Sequence, residues 1–551
     1  MLYPPFRPVR SASRRRFLKL VGRAGGTAAV LTTMKEMGLI SSVKAAKKPT
    51  LHSQQGAGTR VVILGAGIAG MTAAYELSKA GYNCQILEAR DRAGGRCQTL
   101  RGGDVLIENS NIGNSRIESN SAQTCSFDEG LYLNPGPARI PYHHTALLGY
   151  CKEFGVPLEV RVNENRATYF QDDEAFGGRP VLNRRVVNDT RGYISELLAK
   201  AISQKSLDQE ISELDQARLM EFVRSFGSLG DDYRYTGSAR AGYTSSPAAG
   251  DRAGDPFEPL GLSALLDADF WSYKLHFGEG YTQTATMLQP VGGMDKIAQA
   301  FERQVGDLIE YGAQVSQIRK TPTGVRIVYG AAEEAGEATG GATEKVLEAD
   351  YAICTFPLTV LADVEADFSP TVQAAIAKGG SQYVNAVKVA FQAKRRFWEE
   401  DYNIYGGISW TERDITQIWY PSTGFHSNKG IVVGAYIWDN EIGNAWGLLS
   451  PEERMAKAIE AGSAIHPGYA DEVSAAAGTT IAWKNVPYSQ GGWAEWEDEQ
   501  REAAYKVLLQ PDGPIFLAGE HLSYLTGWQE GAVRSALLAV EGIAERVALA
   551  A

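Results

Sequence analysis

The sequence has little cysteine and no long hydrophobic run. Its 551 residues include five cysteines without a C-x-x-C pair, so we predict neither a metal site nor a disulfide scaffold. No stretch approaches the roughly 20 apolar residues of a membrane-spanning helix, so we expect no membrane span. The net charge of −11 argues against nucleic acid or an anionic membrane as a partner. The length and the 44% of hydrophobic residues are typical of a large globular enzyme with two or three domains.

The N-terminus is basic. Ser13-Arg14-Arg15-Arg16-Phe17-Leu18-Lys19 matches the twin-arginine export pattern at every position, and a weakly apolar run from Leu20 to Thr33 follows it. Small residues around Val43-Lys44-Ala45-Ala46 offer a cleavage region. We therefore predict that residues 1–46 are a twin-arginine signal peptide and that the protein is periplasmic or secreted. The alternative is a basic leader with no targeting role.

A glycine motif follows the first predicted strand. Val61–Leu64 is a short β-branched run, and Gly65, Gly67 and Gly70 continue it with G-x-G-x-x-G spacing. The first glycine allows a tight turn, the second a close approach to a pyrophosphate, and the third close packing of a helix on the strand. Ile68–Ala80 is predicted to be that helix, with its N-terminal N–H groups directed at the pyrophosphate.

An acidic residue stands where a dinucleotide ribose would need it. Cys84–Leu87 is predicted as the second strand, and Glu88 follows it, 18 positions after Gly70. A carboxylate there accepts hydrogen bonds from ribose hydroxyls and would repel a 2′-phosphate, which argues against NADP. This context predicts dinucleotide binding rather than a glycine-rich surface loop.

The continuation distinguishes flavin from nicotinamide. Arg90-x-Arg92-x-Gly94-Gly95-Arg96 resembles the second glycine-arginine signature of the flavin amine oxidase superfamily, which reaches back to the FAD pyrophosphate. The alternative is a basic surface turn. Near the C-terminus, Ala518-Gly519-Glu520, Gly527-Trp528 and a helix from Gly531 to Val547 resemble the C-terminal flavin signature of the same family. The resemblance implies that Glu520 reaches a polar group of the FAD and that this helix begins under the carbonyl edge of the flavin.

Within this family the chain is most similar to the bacterial L-amino acid oxidases. Asn134-Pro135-Gly136-Pro137-Ala138-Arg139-Ile140-Pro141 resembles their G-P-M-R-[IL]-P element, with Ala138 in place of the usual methionine. Further matches are Val291–Lys296, Ala313–Val315, Phe397–Glu399 and Gly406-Gly407. The similarity spans roughly residues 59 to 550.

The fold class implied is α/β. We expect a discontinuous Rossmann-type FAD-binding domain, a substrate-binding mixed-sheet domain, and a helical subdomain with a low-complexity excursion. The FAD-binding domain is predicted at 59–135, 290–360 and 500–551, and the substrate-binding domain at 136–145 and 361–499. The helical subdomain is predicted at 146–289, and the excursion within it at 227–255. Strands are predicted at Val325–Tyr329 and Ala349–Cys354 around a hairpin tip, and a second sheet at Asn385–Gln392, Ile404–Ile408, Gln417–Tyr420 and Ile431–Trp438.

The substrate site follows from the chemistry of an amino acid. A carboxylate buried beside a flavin needs a bidentate cationic partner, and Arg139 matches the carboxylate-binding arginine of the family. Tyr436 lies in an apolar run, and the resemblance assigns its hydroxyl to the same carboxylate; the alternative is a core tyrosine with another acceptor. Trp528 and Trp493 would form walls that orient the amine, and the Gly527 carbonyl would accept from it. Trp493 could equally be a core residue.

Lys388 is predicted by the resemblance alone. Val387, Val389 and Phe391 share one face of a predicted strand, while Lys388 and Gln392 share the other. That pattern by itself favours a solvent-facing lysine. In the family the lysine at this position holds a water near flavin N5, so the resemblance makes Lys388 the catalytic candidate.

The cofactor contacts implied are more numerous. The predicted FAD-binding residues are Gly65, Ala66, Gly67, Ala69, Gly70, Glu88, Ala89, Arg90, Gly95, Arg96, Ala138, Arg139, Val315, Trp493, Gly519, Glu520, Gly527, Trp528, Ala532 and Val533.

The resemblance implies oxidative deamination of L-amino acids to 2-oxo acids, ammonia and hydrogen peroxide. Hydride would pass from Cα to flavin N5, and dioxygen would be the acceptor. The alternatives are a monoamine or polyamine oxidase, an amino-acid 2-monooxygenase, and a non-catalytic flavin-binding protein. The preferred amino acid is left open, with His276–Thr282 and Glu495 expected near the far wall of the pocket. We expect a homo-oligomer, a dimer.

Overall fold

The computed structural model describes residue 49 and the ranges 51–108, 121–207, 211–272, 274–331 and 344–550. The predicted signal peptide lies outside the described residues, and so does most of the predicted hairpin tip. Residues Lys48–Ala551 form one compact unit.

A five-stranded parallel sheet carries the first glycine motif. Its strands, in spatial order, are Ile309–Glu310, Asn83–Leu87, Arg60–Leu64, Tyr351–Cys354 and Ile515–Leu517. The central strand is buried from Val61 to Leu64, as its β-branched run predicts. The predicted α/β fold class is confirmed. All five strands fall within the three segments predicted to form the FAD-binding domain.

Helix Ile68–Lys79 packs on this sheet through its third glycine. A Cβ atom on Gly70 would lie 2.0 Å from the carbonyl oxygen of Gly65, so only glycine permits this closeness. The C-terminal helix Gln529–Ala550 and helix Asp295–Val305 pack against Ile68–Lys79. The C-terminal helix begins two residues before the predicted start at Gly531 and ends three residues after the predicted end at Val547.

The strand pairing in a four-stranded sheet differs from the predicted pairing. Gly324–Ala331 pairs with Lys345–Ala349, whereas the prediction paired it with Ala349–Cys354. The chain turns at Asp350, and Tyr351–Cys354 enters the parallel sheet beside Arg60–Leu64. The prediction thus omits the strand Lys345–Ala349 and gives its pairing to the strand that follows, because a pattern of apolar residues does not show which sheet a strand joins. The other members of this sheet are Ala313–Thr321 and Glu365–Ala366.

A seven-stranded sheet forms the predicted second sheet. Its strands, in spatial order, are Gly478–Ala482, Val387–Ala393, Gly430–Ile437, Gln417–Tyr420, Gly407–Thr411, Tyr169–Gln171 and Val181–Leu182. The strand predicted at Ile404–Ile408 starts later, at Gly407, because the backbone at Gly406 has a φ of 74° and is not extended. The last two strands come from the region predicted as helical.

Three longer helices occupy the region predicted as a helical subdomain: Thr145–Glu153, Asn183–Ser203 and Glu213–Gly227. Most residues of the 227–255 excursion are exposed. Asp189 holds this excursion against helix Asn183–Ser203. Its carboxylate accepts hydrogen bonds from the Tyr235 hydroxyl at 2.5 Å and from the Leu260 N–H at 2.9 Å.

Further strands and helices complete the described part of the chain. The remaining strands are Val105–Glu108, Ser121–Thr124, Ile140–Pro141, Leu158–Arg161, Tyr243–Ser245, Asp255–Pro256 and Met287–Pro290. The remaining α-helices are Leu262–Asp267, Leu358–Leu361, Pro370–Gly380, Phe397–Glu400, Asn440–Gly447, Pro451–Gly462, Tyr469–Glu472, Asp498–Gln500 and Lys506–Leu508.

Candidate active site

A cavity of about 580 Å³ opens at the carboxyl ends of the parallel strands. Residues just beyond four of these strands line it: Gly65, Glu88 and Thr355 directly follow their strands, and Gly519 stands two positions after Leu517. This edge is where open α/β sheets bind their ligands.

Most of the predicted site residues meet at this cavity. Those that line it are Gly65, Gly67, Ala69, Glu88, Ala89, Arg90, Gly95, Arg96, Val315, Tyr436, Trp493, Gly519, Glu520, Gly527, Trp528 and Ala532. Those that do not are Ala66, Gly70, Ala138, Arg139, Lys388 and Val533. The residues outside the lining pack behind it, and Val533 is fully buried.

The two glycine motifs contact each other. The Gly94 N–H donates to the Ala66 carbonyl at 2.8 Å, and a Cβ on Gly95 would lie 3.5 Å from the Gly67 Cα. The start of helix Ile68–Lys79 is thereby lined by backbone from both motifs. Backbone N–H groups at a helix N-terminus suit a pyrophosphate.

Glu88 is placed by the backbone around it. Its carboxylate accepts from the Ala66 N–H at 2.8 Å and from the Arg90 N–H at 3.0 Å, and the residue is 4% exposed. Arg90 in turn donates to the Pro487 carbonyl and the Ser489 hydroxyl. A fixed acceptor at this strand end fits the ribose of a dinucleotide.

Glu520 joins three segments of the cavity wall. Its carboxylate lies 3.0 Å from an Arg96 guanidinium nitrogen and accepts from the Gly527 N–H at 2.9 Å. Arg96 also donates to the Gly492 carbonyl at 2.6 Å. The resemblance implies a direct contact between Glu520 and the FAD; the contacts seen here hold the loops at 492 and 527 in place.

The loop Asn134–Pro137 is held by side chains beneath it. The Lys388 ammonium nitrogen Nζ lies 3.1 Å from the Asn134 carbonyl and 2.6 Å from the Gly136 carbonyl. The Trp483 indole N–H donates to the Pro135 carbonyl at 2.9 Å. Three consecutive carbonyl groups are thus paired, and Pro135, Gly136 and Pro137 face the cavity.

Lys388 is buried, although the alternation of apolar and polar side chains along its strand predicts that it faces solvent. It is 2% exposed, and its amine lies 4.4 Å from the centroid of the Tyr436 ring. Burial holds the pKa of Lys388 well below its usual value, and the charges of Arg139 and Arg161 lower it further.

Arg139 lies in an aromatic enclosure behind the cavity wall. Its guanidinium carbon is 4.5 Å from the ring centroid of Trp419, 5.6 Å from that of Trp528 and 5.7 Å from that of Phe277. One guanidinium N–H donates to the Gln283 Oε1 at 2.7 Å. Ala138 packs against the same cluster. A cation in apolar surroundings favours an anionic ligand strongly.

Aromatic side chains form the wall beside Arg139. Tyr436 contacts Trp438 and Trp419, and its pKa is raised by burial. Trp528 meets His144 edge-on at 5.0 Å, and Trp438 lies between Tyr436 and Trp493. These rings leave an apolar space next to a positive charge.

None of the residues 276–282, expected near the far wall, is among those that line the cavity. Phe277, in the predicted segment 276–282, contacts Arg139, and Tyr281 stacks on His143 with ring centroids 4.1 Å apart. Glu495 is exposed and is not among the residues that line the cavity. The Glu495 carboxylate therefore does not form part of the cavity wall.

Several cavity residues were missed by sequence reasoning. Thr355 donates to the Leu64 carbonyl at 2.9 Å, Tyr488 lies under Arg90, and Gln529 follows Trp528. Thr355 had a signal, since it directly follows a parallel strand. Tyr488 and Gln529 had none, because their positions depend on how distant loops pack.

The described part of the chain holds no cluster of side chains suited to a metal ion. Within it we also find no helix long and apolar enough to cross a membrane.

The family model for flavin containing amine oxidoreductases matches residues 68–544. The chain belongs to this family. It is an FAD-dependent oxidoreductase, and the cavity described above fits such a cofactor, since fixed backbone N–H groups, Glu88 and an aromatic wall share one space.

Relatives and solved structures are similar along most of their length. The chain is 28% identical over 500 residues to YobN of Bacillus subtilis (strain 168), which carries the provisional name of L-amino-acid oxidase; 87% of this chain and 93% of that protein are covered. It is 26% identical to the L-amino-acid oxidase of Pseudechis australis, covering 88% and 86% of the two chains.

Solved structures show the same fold. Putrescine oxidase has a TM-score of 0.55 at 18% identity, covering 88% of this chain and 98% of that one. Cyclohexylamine oxidase from Brevibacterium oxydans IH-35A has a TM-score of 0.56 at 16% identity, covering 89% and 99%.

Proposed function

We propose that the protein oxidises L-amino acids. The reaction consumes an amino acid, dioxygen and water, and yields a 2-oxo acid, ammonia and hydrogen peroxide. FAD supplies the hydride acceptor and passes the electrons to dioxygen. The chain's own residues bind the substrate, orient it and exclude water.

The observation that carries the proposal is the position of Arg139. Arg139 is 8% exposed, and its guanidinium lies beside Trp528, which lines the cavity. A guanidinium matches a carboxylate with two parallel hydrogen bonds, and an amine without a carboxylate offers it nothing. The names of the relatives support the same substrate class.

The charges around Trp419 support it further. Arg139 and Arg161 both lie within 5.0 Å of its ring centroid. Positive charge concentrated here attracts an anionic substrate group and opposes a second ammonium group. A diamine such as putrescine therefore fits this site poorly.

A peroxide-coupled screen tests the proposal. The twenty L-amino acids are compared with their D-forms and with decarboxylated amines of matched side chain. Oxidation of L-amino acids alone supports it. Equal rates on the amines would make the chain an amine oxidase, and an amide product with carbon dioxide would make it an amino-acid 2-monooxygenase.

We further propose export through the twin-arginine pathway, on the basis of residues 13–19, and a dimeric assembly. We also propose the domain ranges predicted from the sequence. Cell fractionation and light scattering test the first two.

A further inference from the structure

Two side chains of the candidate site come from segments that are far apart in the sequence. Arg139 directly precedes the strand Ile140–Pro141, and Trp528 directly precedes the helix Gln529–Ala550. The Arg139 guanidinium carbon lies 5.6 Å from the Trp528 ring centroid, and Trp528 lines the cavity. A ligand that Arg139 holds by a carboxylate and that extends into the cavity therefore passes beside Trp528. The spacing of these two side chains decides how the two ends of such a ligand are placed.

Glu530 connects the two segments. Its carboxylate accepts from the Ala146 N–H at 3.1 Å and from the Leu147 N–H at 2.8 Å, both in the first turn of helix Thr145–Glu153. Glu530 itself stands two residues after Trp528 and is fully buried. The first N–H groups of a helix have no partner within it, and the helix dipole there attracts a negative charge. A single buried carboxylate therefore holds the starts of the two helices together.

His144 adds a ring contact at the same junction. It is the last residue before helix Thr145–Glu153 and is 1% exposed, and its ring meets the Trp528 ring edge-on with centroids 5.0 Å apart. Burial lowers the pKa of His144 to about 3, and the charges of His143 and Arg534 lower it further, so the ring is uncharged at neutral pH. The start of this helix therefore contacts the Trp528 side chain directly.

Arg139 is also held by contacts that do not involve Glu530. The strand Ile140–Pro141 belongs to a three-stranded sheet, and the Gln283 Oε1 accepts from the guanidinium at 2.7 Å. The Trp528 carbonyl, in contrast, accepts hydrogen bonds from the first turn of the helix that follows it, so its placement depends on how that helix begins. Loss of the Glu530 contacts should therefore displace Trp528 more than Arg139.

We propose that Glu530 is a positioning residue for the substrate. It sets the place of Trp528 relative to Arg139, so that a substrate held by its carboxylate presents its amine end correctly in the cavity. The inference rests on the proposed oxidation of amino acids, because a substrate needs a carboxylate to use both side chains. Glu530 is fully buried, so its effect reaches the substrate through Trp528 and not by contact.

Glu530→Gln in the holoenzyme tests the proposal. The amide is a weaker acceptor than a carboxylate and has only one oxygen for the two N–H groups. We expect kcat/KM for the best L-amino acid to fall about 10- to 100-fold, because a misplacement of roughly 1 Å can cost about 10²-fold. The deamino analogue of that amino acid keeps the carboxylate and the side chain. Its dissociation constant, measured by calorimetry, should change by less than about twofold, since Arg139 keeps its place.

A general loosening of the site would weaken binding of the deamino analogue as well, and that result would overturn the proposal. Glu530→Asp covers the case in which Glu530→Gln does not retain FAD. It keeps the charge on a side chain one methylene shorter, so it should show the same split between a lowered kcat/KM and an unchanged dissociation constant.

Arg534 offers the matched control. Its Nε donates to the Glu530 carboxylate at 2.7 Å from one turn further along the helix, and its side chain is 41% exposed. Arg534→Met removes this ion pair and leaves both contacts with helix Thr145–Glu153 in place. Its kcat/KM should stay within about twofold of the parent, because exposed ion pairs contribute little. A fall equal to that of Glu530→Gln would assign the effect to the ion pair and overturn the proposal.

A double-mutant cycle shows whether Glu530 acts through Trp528. In Trp528→Ala, Glu530→Gln should reduce kcat/KM by less than about twofold, because the ring that it positions is gone. If the two effects multiply instead, the proposal is wrong. A parent that oxidises amines and no amino acid would overturn the proposed function and this inference with it. An amino-acid oxidase whose Glu530→Gln variant changes only in its free energy of unfolding would overturn the inference alone.

Discussion

The Lys388 amine lies 2.6 Å from the carbonyl oxygen of Gly136, directly beneath the loop that faces the cavity. A Cβ on Gly136 would lie 2.1 Å from the Arg96 carbonyl oxygen, so the loop is fixed from its other side as well. Lys388 and Arg96 together determine where the chain enters the segment that carries Arg139.

Lys388→Met should destabilise the fold. It leaves the Asn134 and Gly136 carbonyls without their donor, which should lower the free energy of unfolding by about 1–3 kcal/mol. Denaturant unfolding measures this at neutral pH. Lys394→Met is the control, because Lys394 is exposed and also donates to a backbone carbonyl; its cost should stay within about 0.5 kcal/mol.

The cost of Lys388→Met should grow with pH. The folded pKa of Lys388 is well below its usual value of 10.5, so between the two values the unfolded chain binds a proton that the folded chain lacks. The stability of the parent therefore gains from rising pH in this window, and the variant loses that gain. Unfolding midpoints of both proteins from pH 7 to 10 measure the difference. A difference that is constant or shrinks would contradict a lowered pKa.

Arg139→Ala should reduce kcat/KM by roughly two to four orders of magnitude, since breaking a buried charge pair costs about 3–5 kcal/mol. Flavin content should stay intact. Arg139→Lys should recover only part of the loss, because an ammonium lacks the bidentate fork. Steady-state rates on the best amino acid measure the effect. Unchanged rates would assign the carboxylate to another group.

Glu88→Ala should weaken FAD retention roughly 10- to 100-fold, because hydrogen bonds to a charged group contribute about 1.5–3 kcal/mol. The variant loses the ribose acceptor and unpairs the Ala66 N–H. Titration of apoprotein with FAD, followed by flavin fluorescence, gives the affinity. Asp363→Ala, another acid at the cavity, is the comparison and should change the affinity less.

The flavin should be released intact by acid precipitation. All five cysteines are buried, and burial raises the pKa of each thiol, to about 11 for Cys84 and about 12 for Cys97, Cys151 and Cys354. Protonated thiols are poor nucleophiles, so no cysteine should be linked to the flavin. A thiol reagent should find none reactive in the native protein and five after unfolding. Yellow colour that stays with the precipitate would contradict this.

Replacing Arg14 and Arg15 by lysine should retain the protein in the cytoplasm. The transport receptor distinguishes the arginine pair from lysine, although the charge is the same. Immunoblots of cell fractions measure the distribution. Equal export of the double variant would assign residues 1–46 another role.

Local motifs predicted the residues that line the cavity at the ends of the parallel strands. Tertiary packing determined the positions of the other cavity residues. Gly65, Gly67, Gly70 and Glu88 belong to one continuous βαβ unit, whose geometry follows from their spacing. The sequence alone is therefore sufficient to predict where these residues lie. Lys388 shows the limit: alternation places it on a polar face, yet that face is covered by the loop at 134–137. Gln283 and Gln529 are further examples, because their partners Arg139 and Cys97 come from segments distant in sequence.

The strand order of the parallel sheet also fixes when the enzyme can acquire its cofactor. Residues 60–88 leave the ribosome early, but the wall at 519–532 is translated last. At about 5–20 residues per second, the interval between them is roughly 20–90 s. During this time the nascent chain presents apolar strands whose neighbours do not yet exist, and FAD has no complete pocket to enter. We therefore expect FAD to be enclosed only after synthesis of the chain has ended.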